Sequence, residues 1–166
     1  MSDPKITIRK TEKDDLQHVF SMIQELIAYQ NATPTSLTLD DLIRDGGFTG
    51  AHPLYFSFFA ECDGKPVGYT IAFYAYSTWE GRSLLLEDIY VKPEARNHGV
   101  GRKLMQATVQ YGIEQGCSRL DLHVLKSNET ARKFYGGIGA TNLTETEGWM
   151  YYNFGKSEME KIVKGE

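Results

Sequence analysis

Residues 86–102, Leu-Glu-Asp-Ile-Tyr-Val-Lys-Pro-Glu-Ala-Arg-Asn-His-Gly-Val-Gly-Arg, constrain this chain more than any other stretch. An apolar, β-rich segment runs into a proline turn and reaches Arg96-Asn97-His98-Gly99-Val100-Gly101. An amphipathic helix starts at once, with Val100, Leu104, Ala107 and Tyr111 at helical spacing. A helix N-terminus with unpaired N–H groups, glycines that admit a ligand to the backbone, and adjacent arginines are the parts of a pyrophosphate seat. A dinucleotide fold would want G-x-G-x-x-G with an acidic residue about 20 positions on. Gly99, Gly101 and Asp121 fit, but the third position is Leu104, and the motif follows three antiparallel-looking strands. A phosphate-binding loop needs G-x-x-x-x-G-K-[ST], which Gly99-Val100-Gly101-Arg102-Lys103-Leu104 lacks. A plain strand–helix turn explains two glycines equally well, so the motif alone leaves the choice open.

The rest of the chain supplies context. Ile6 and Ile8 alternate with polar residues, so Lys5 to Arg9 reads as a first strand. Thr11 with Asp14 three residues on resembles a capping box, and Leu16, Val19, Phe20, Ile23, Leu26 and Ile27 follow helical spacing. Leu39 to Asp45 is a short second helix ended by Gly46-Gly47. Residues 54–62 are aromatic and strand-like, and Asp63-Gly64-Lys65-Pro66 turns them back into a strand from Val67 to Tyr76. A further strand spans about Ser83 to Val91, then comes the glycine helix with Gly116 at its end. Leu120, Leu122 and Val124 alternate as a strand. Asn128 is an N-cap for a short helix through Tyr135, stopped by Gly136-Gly137. Gly148 to Phe154 reads as a final aromatic strand, and a charged helix closes the chain. This order is neither all-parallel alternation nor two separate blocks, so the expected class is mixed α/β, or α+β.

At 166 residues the chain is expected to be one domain, 1–166, with one sizeable core. A net charge of −4 argues against bulk nucleic-acid binding, which usually shows a basic excess. No apolar run approaches the ~18 residues a membrane span needs, and Met1-Ser2-Asp3-Pro4-Lys5 lacks the features of a signal peptide. Cys62 and Cys117 have no metal or CxxC spacing, and His18, His52, His98 and His123 are scattered, so no metal site is expected. The expected location is a reducing cytoplasm.

Two motifs together break the tie. Arg96-x-x-Gly99-x-Gly101, followed by Asn128-x-x-Ala131-x-x-Phe134-Tyr135-x-x-x-Gly139-Ala140, resembles the acyl-CoA signature of the GCN5-related N-acetyltransferase superfamily. Tyr76-Ser77-Thr78-Trp79-x-Gly81-Arg82, Leu86-Glu87-Asp88-Ile89-Tyr90-Val91, Gly116-Cys117-Ser118 and Glu145-x-Glu147-Gly148-Trp149 are similar to its diamine acetyltransferase branch, and most of all to the thialysine-acetylating group. The resemblance implies a mostly antiparallel central sheet flanked by helices, with acetyl-CoA at a splayed strand pair. It also implies a homodimer and a small-molecule amine as the other substrate.

The resemblance further assigns residues. Ile89, Tyr90 and Val91 would present main chain to the pantetheine arm, and their strand would carry a bulge. Arg96, Asn97, His98, Gly99, Val100, Gly101 and Arg102 would hold the pyrophosphate, with Asn128, Glu129, Thr130 and Ala131 as further cofactor contacts. Tyr135 would be the general acid. A tyrosine pKa of about 10 exceeds the ~8.5 of a thiol, so its hydroxyl is protonated and can donate to a leaving sulfur. Outside that frame, Tyr135 is a tyrosine packing at a helix end. Glu87 would face the acceptor amine, through water or as a cation-binding group. By strand alternation alone it is an outward-facing polar residue, and its neighbour Asp88 points the opposite way. Tyr29, Gln30, Asp121, Leu122, His123 and Glu147 would complete the acceptor pocket.

Two departures bear on the acceptor. Gln30 stands where spermidine/spermine enzymes carry an acidic residue, which favours a short amine over a long polycation. Lys126-Ser127 replaces the pair, ending in tryptophan, that relatives carry before the asparagine. The expected activity is acetyl transfer to a thialysine-like amino acid or short diamine, by direct attack of the amine on the thioester. The alternatives are a polyamine acetyltransferase, separated by kcat/KM on spermidine, and a protein-lysine acetyltransferase, which needs an open groove. A non-catalytic acyl-CoA-binding module would bind acetyl-CoA and release no CoA with any amine.

Overall fold

The computed structural model describes residues 4–165, so the N-terminal reading at Met1-Ser2-Asp3 lies outside the described residues. Two compact units are present, Met1–His123 and Val124–Glu166. The first holds a five-stranded sheet in the order β1 (Ile6–Lys10), β2 (Phe56–Cys62), β3 (Lys65–Ser77), β4 (Gly81–Val91), β5 (Leu120–Leu122). All neighbours are antiparallel except β4 and β5. Helices α1 (Leu16–Tyr29) and α2 (Leu39–Asp45) cover one face, where Val19, Met22, Ile23 and Leu42 pack on Phe59, Tyr69, Ile71 and Tyr90. Helix α3 (Val100–Glu114) covers the other, where Val100 and Leu104 pack with Phe58, Ala60 and Val67. Phe58 and Phe59 serve opposite faces because successive strand residues alternate.

Local chemistry explains the joints. The β2–β3 turn places Asp63 at φ +50° and Gly64 at φ +76°, the two left-handed residues of a type I′ hairpin. The cap before α1 is not the expected Thr11/Asp14 pair. Glu12 and Asp15 bond reciprocally, while the Thr11 hydroxyl donates to Ser57 Oγ at 2.7 Å and is occupied on β2. Arg9 on β1 grips Asp15, with Nη2 donating to Oδ1 at 2.8 Å, which ties the first strand to the first helix. The buried hydroxyls of Thr70 and Thr108 stand 3.0 Å apart and join β3 to α3. At Gly68 an added Cβ would lie 2.7 Å from the Tyr90 carbonyl, so β3 and β4 approach more closely there than any side chain permits.

The second unit holds α4 (Glu129–Gly137), α5 (Leu143–Thr146) and α6 (Lys156–Lys164). Helix α4 is not stopped by Gly136-Gly137. It runs through both, and the chain turns left-handed at Gly139, φ +98°. Glycine inside a helix costs about 1 kcal/mol relative to alanine, which weakens the helix without barring it. The expected aromatic strand over 148–154 is not formed. β-propensity follows from packing on a sheet, and among the described residues the sheet ends at β5. Strand β5 itself stops at Leu122 rather than reaching Val124.

Candidate active site

Strand β4 carries the geometry that matters. Ile71 on β3 pairs with Asp88, and Ala72 pairs with Leu86, so Glu87 is an extra residue: a β-bulge. The bulge reverses the alternation of the strand. Leu84 lies against Gly112 of α3, yet further on it is Ile89 and Val91 that join the α3-side core, while Tyr90 joins the α1-side core. As a result Glu87 and Asp88 line one hollow together instead of pointing apart. That hollow is about 440 Å³, and its walls include Ile23, Ile27, Leu42 and Ile71.

Strand β5 pairs with β4 only at Leu84, Leu85 and Leu86. From the bulge onward, β4 pairs with β3 on one side and, among the described residues, with no strand on the other, so Glu87 to Val91 form an open strand edge. This is the splayed strand pair that the resemblance implies. An amide-bearing chain can add to such an edge as an extra strand would. The Tyr90 side chain is turned away from that role, 6% exposed, with its hydroxyl donating to Glu25 Oε2 at 3.0 Å. Burial and that carboxylate push its pKa to about 12.

The open edge leads into the loop before α3. Asn97 (φ +65°) and Gly99 (φ +80°) are left-handed, and a Cβ at Gly99 would meet nothing within 4 Å. The first intrahelical bond is donated by Lys103 to the Gly99 carbonyl at 3.0 Å. The N–H groups of Val100, Gly101 and Arg102 therefore have no helical acceptor and point out of the helix start, where the dipole favours an anion. Val100 is 1% exposed as a whole residue, whereas Gly101 is half-buried and Arg102 exposed, so the donors nearest solvent are those of Gly101 and Arg102. Open backbone, two left-handed residues and free donors fit a diphosphate.

Arg96 sits differently from a phosphate ligand. Its Nε donates to the Val91 carbonyl at 2.9 Å, and its guanidinium lies 5.1 Å from the Tyr29 ring centroid and 5.8 Å from that of Tyr90. His98 lines a separate hollow of about 630 Å³ with His18, Lys65, Lys92 and Glu94. Tyr29 and Gln30 end α1, and Tyr29 is 49% exposed. Asp121 and Leu122 pair with Leu85 and Leu86, beside the bulge; the Asp121 carboxylate accepts from Arg119 Nε at 2.9 Å. His123 follows β5 directly.

In the second unit, Asn128 caps α4 as expected, its Oδ1 accepting from the Ala131 N–H at 3.1 Å. Glu129, Thr130 and Ala131 form the first turn, and Tyr135 stands near the helix end with its ring edge-on to Phe134, centroids 5.4 Å apart. Glu147 accepts from Trp149 Nε1 at 2.8 Å.

Asp88 is the residue that strand alternation missed. Only the bulge turns it to the same side as Glu87, and two adjacent acids in the otherwise apolar stretch 84–91 were its one sequence signal. Burial, with the charge of Glu87, pushes its carboxyl above the ordinary value, and the Tyr69 hydroxyl, donating at 3.1 Å, pulls it part of the way back. Among the described residues no group of three or more histidine, cysteine, aspartate and glutamate side chains could hold a metal ion, and no helix is long and apolar enough to cross a membrane.

Comparison with known proteins gives this geometry a context. Residues 20–139 match the acetyltransferase (GNAT) family model. The chain is 36% identical over 166 residues to the thialysine N-epsilon-acetyltransferase of Bos taurus, covering 95% of this chain and 97% of that one. It is 31% identical over 160 residues to the spermidine/spermine N(1)-acetyltransferase-like protein 1 of Homo sapiens, covering 92% of this chain and 23% of that protein. The solved aminoglycoside N-acetyltransferase AAC(6')-Iy in complex with CoA shares the fold, with a TM-score of 0.74 at 23% identity over 92% of this chain and 97% of that one.

Proposed function

This chain belongs to the acetyltransferase (GNAT) family, and we propose that it transfers acetyl from acetyl-CoA to the primary amine of a thialysine-like amino acid or short diamine. The observation that carries this reading is the bulge at Glu87, where the open edge of β4 meets a small acidic hollow and leads to the unpaired donors of α3. The main chain of Ile89 to Val91 would hold the amide-bearing arm, and the N–H groups from Asn97 to Arg102 would hold the diphosphate, with Asn128 to Ala131 as further contacts. The acceptor amine must lose a proton before it attacks. A carboxylate is a far weaker base than an amine, so Glu87 serves by binding the cation, and the ammonium passes its proton to water. Tyr135 holds the proton that the leaving sulfur needs. Tyr29, Gln30, Asp121, Leu122, His123 and Glu147 shape the remainder of the acceptor site.

We further propose that residues 1–166 act as one domain, and that the enzyme is a cytoplasmic homodimer. The spermidine/spermine-like relative supports a second reading, polyamine acetylation. An acetylation assay over a panel of amines, read by CoA release, decides between them. Higher kcat/KM on thialysine or a short diamine than on spermidine is expected, and a clear preference for spermidine overturns the first reading.

A further inference from the structure

The acceptor hollow contains three carboxylates, and they are not equivalent. Asp45 is gripped through both oxygens by Arg44, with Nε donating to Oδ1 at 2.8 Å and Nη2 to Oδ2 at 3.0 Å, so its charge is already answered. Glu87 and Asp88 also line the hollow, and no lysine, arginine or histidine is among the described residues that line it. Ile23, Ile27 and Ile71 add aliphatic lining, beside Thr33 and Thr35. Such a cavity suits a methylene chain that ends in an ammonium group.

Asp88 is held in place. Tyr69, 0% exposed within the core on β3, gives its hydroxyl hydrogen to Asp88 Oδ2 at 3.1 Å. That bond fixes one carboxylate oxygen and leaves Oδ1 for another partner. We propose that Asp88 is a second substrate-binding carboxylate, which clamps the reacting ammonium jointly with Glu87, and that Tyr69 is its positioning residue. The clamp rests on the acetyltransferase reading and sharpens its acceptor class to an aliphatic amine that enters as a cation. The bulge is what makes it possible, because in a regular strand the two carboxylates would face opposite sides of the sheet. Burial of Asp88 raises the cost of its charge, and an entering ammonium removes that cost.

The test combines binding and kinetics. The CoA-loaded protein is titrated calorimetrically with thialysine and with 1,3-diaminopropane, and KM is measured for each amine and for acetyl-CoA. Asp88→Asn should weaken amine binding and raise amine KM by roughly 10- to 100-fold, the range of a lost charge-assisted hydrogen bond, with acetyl-CoA KM unchanged. Tyr69→Phe should weaken amine binding by a smaller factor alone and by no further factor once Asp88 is asparagine. The clamp is overturned if Asp88→Asn binds amine within about twofold of wild type, or if the two losses multiply. Should Asp88→Asn fail to fold, Tyr69→Phe decides alone, and unchanged amine affinity overturns the clamp.

The binding arm does not depend on turnover. Amine binding that is lost in Asp88→Asn supports the clamp even if acetyl transfer to these amines is absent and the proposed activity fails. Normal transfer by an unperturbed Asp88→Asn rejects the clamp and leaves the activity standing. A wild type that neither binds nor acetylates either amine overturns both.

Discussion

Single residues here do work that their neighbours define. The role proposed for Tyr135 comes from the family likeness, while the cap bond from the Ala131 N–H to Asn128 bears out the Asn128 cap alone. Tyr135→Phe should lower kcat by roughly 10²-fold with CoA affinity nearly intact, as expected for loss of a general acid. Single-turnover kinetics with a CoA-binding control check this, and an unchanged kcat removes Tyr135 from the role. Asp15 was not legible as special. Its carboxyl is held below its ordinary value of 3.8 chiefly by the Arg9 hydrogen bond, against an opposing burial cost. A depressed folded-state pKa contributes stability at higher pH and loses it as pH falls through the folded value. Asp15→Asn should therefore cost about 1.5 kcal/mol at pH 7, the low end for a charged hydrogen bond because Arg9 is partly exposed. The gap to wild type should close as pH falls below 3.8. Urea denaturation at neutral and acid pH measures both.

At the scale of elements, helices α1, α2 and α3 and strands β1 to β4 follow their sequence patterns to within a few residues, because apolar periodicity reports directly which face is buried. Other features did not. The aromatic run over 148–154 reads as a strand by composition, but a strand needs a partner for its backbone groups, and composition does not supply one. The bulge at Glu87 was expected only from family likeness, since Leu84 to Leu86 and Ile89 to Val91 are apolar on both alternations and hide the change of face. Arg102→Glu tests the α3 N-terminus as an anion seat. An acidic residue in a first turn is neutral or favourable for the helix, so stability should hold while KM for acetyl-CoA rises. Gly68→Ala tests the close approach of β3 to the Tyr90 carbonyl. It should lower the melting temperature and raise acetyl-CoA KM together, because pushing the strands apart moves the edge that Ile89 to Val91 present; a thermal melt alongside kinetics reads both.

On the scale of the whole molecule, the homodimer proposed for this chain predicts a solution mass of twice 18.8 kDa, measurable by sedimentation equilibrium. A mass of 18.8 kDa at micromolar concentration would reject it. By itself the sequence determined the mixed α/β class, the strand–glycine–helix unit and the Asn128 cap, because each depends on spacing along the chain, and its two motifs together carried the family resemblance. Tertiary structure located the open β4 edge, which the family likeness implied only in general, by ending β5 beside Leu86. It also decided that Arg96 reaches back to Val91 between two tyrosine rings, and that Asp88 turns to the same side as Glu87. The physical reason is common to all three. Where a strand's pairing ends, and which way its side chains face beyond a bulge, depend on partners far away in sequence, which no local period records.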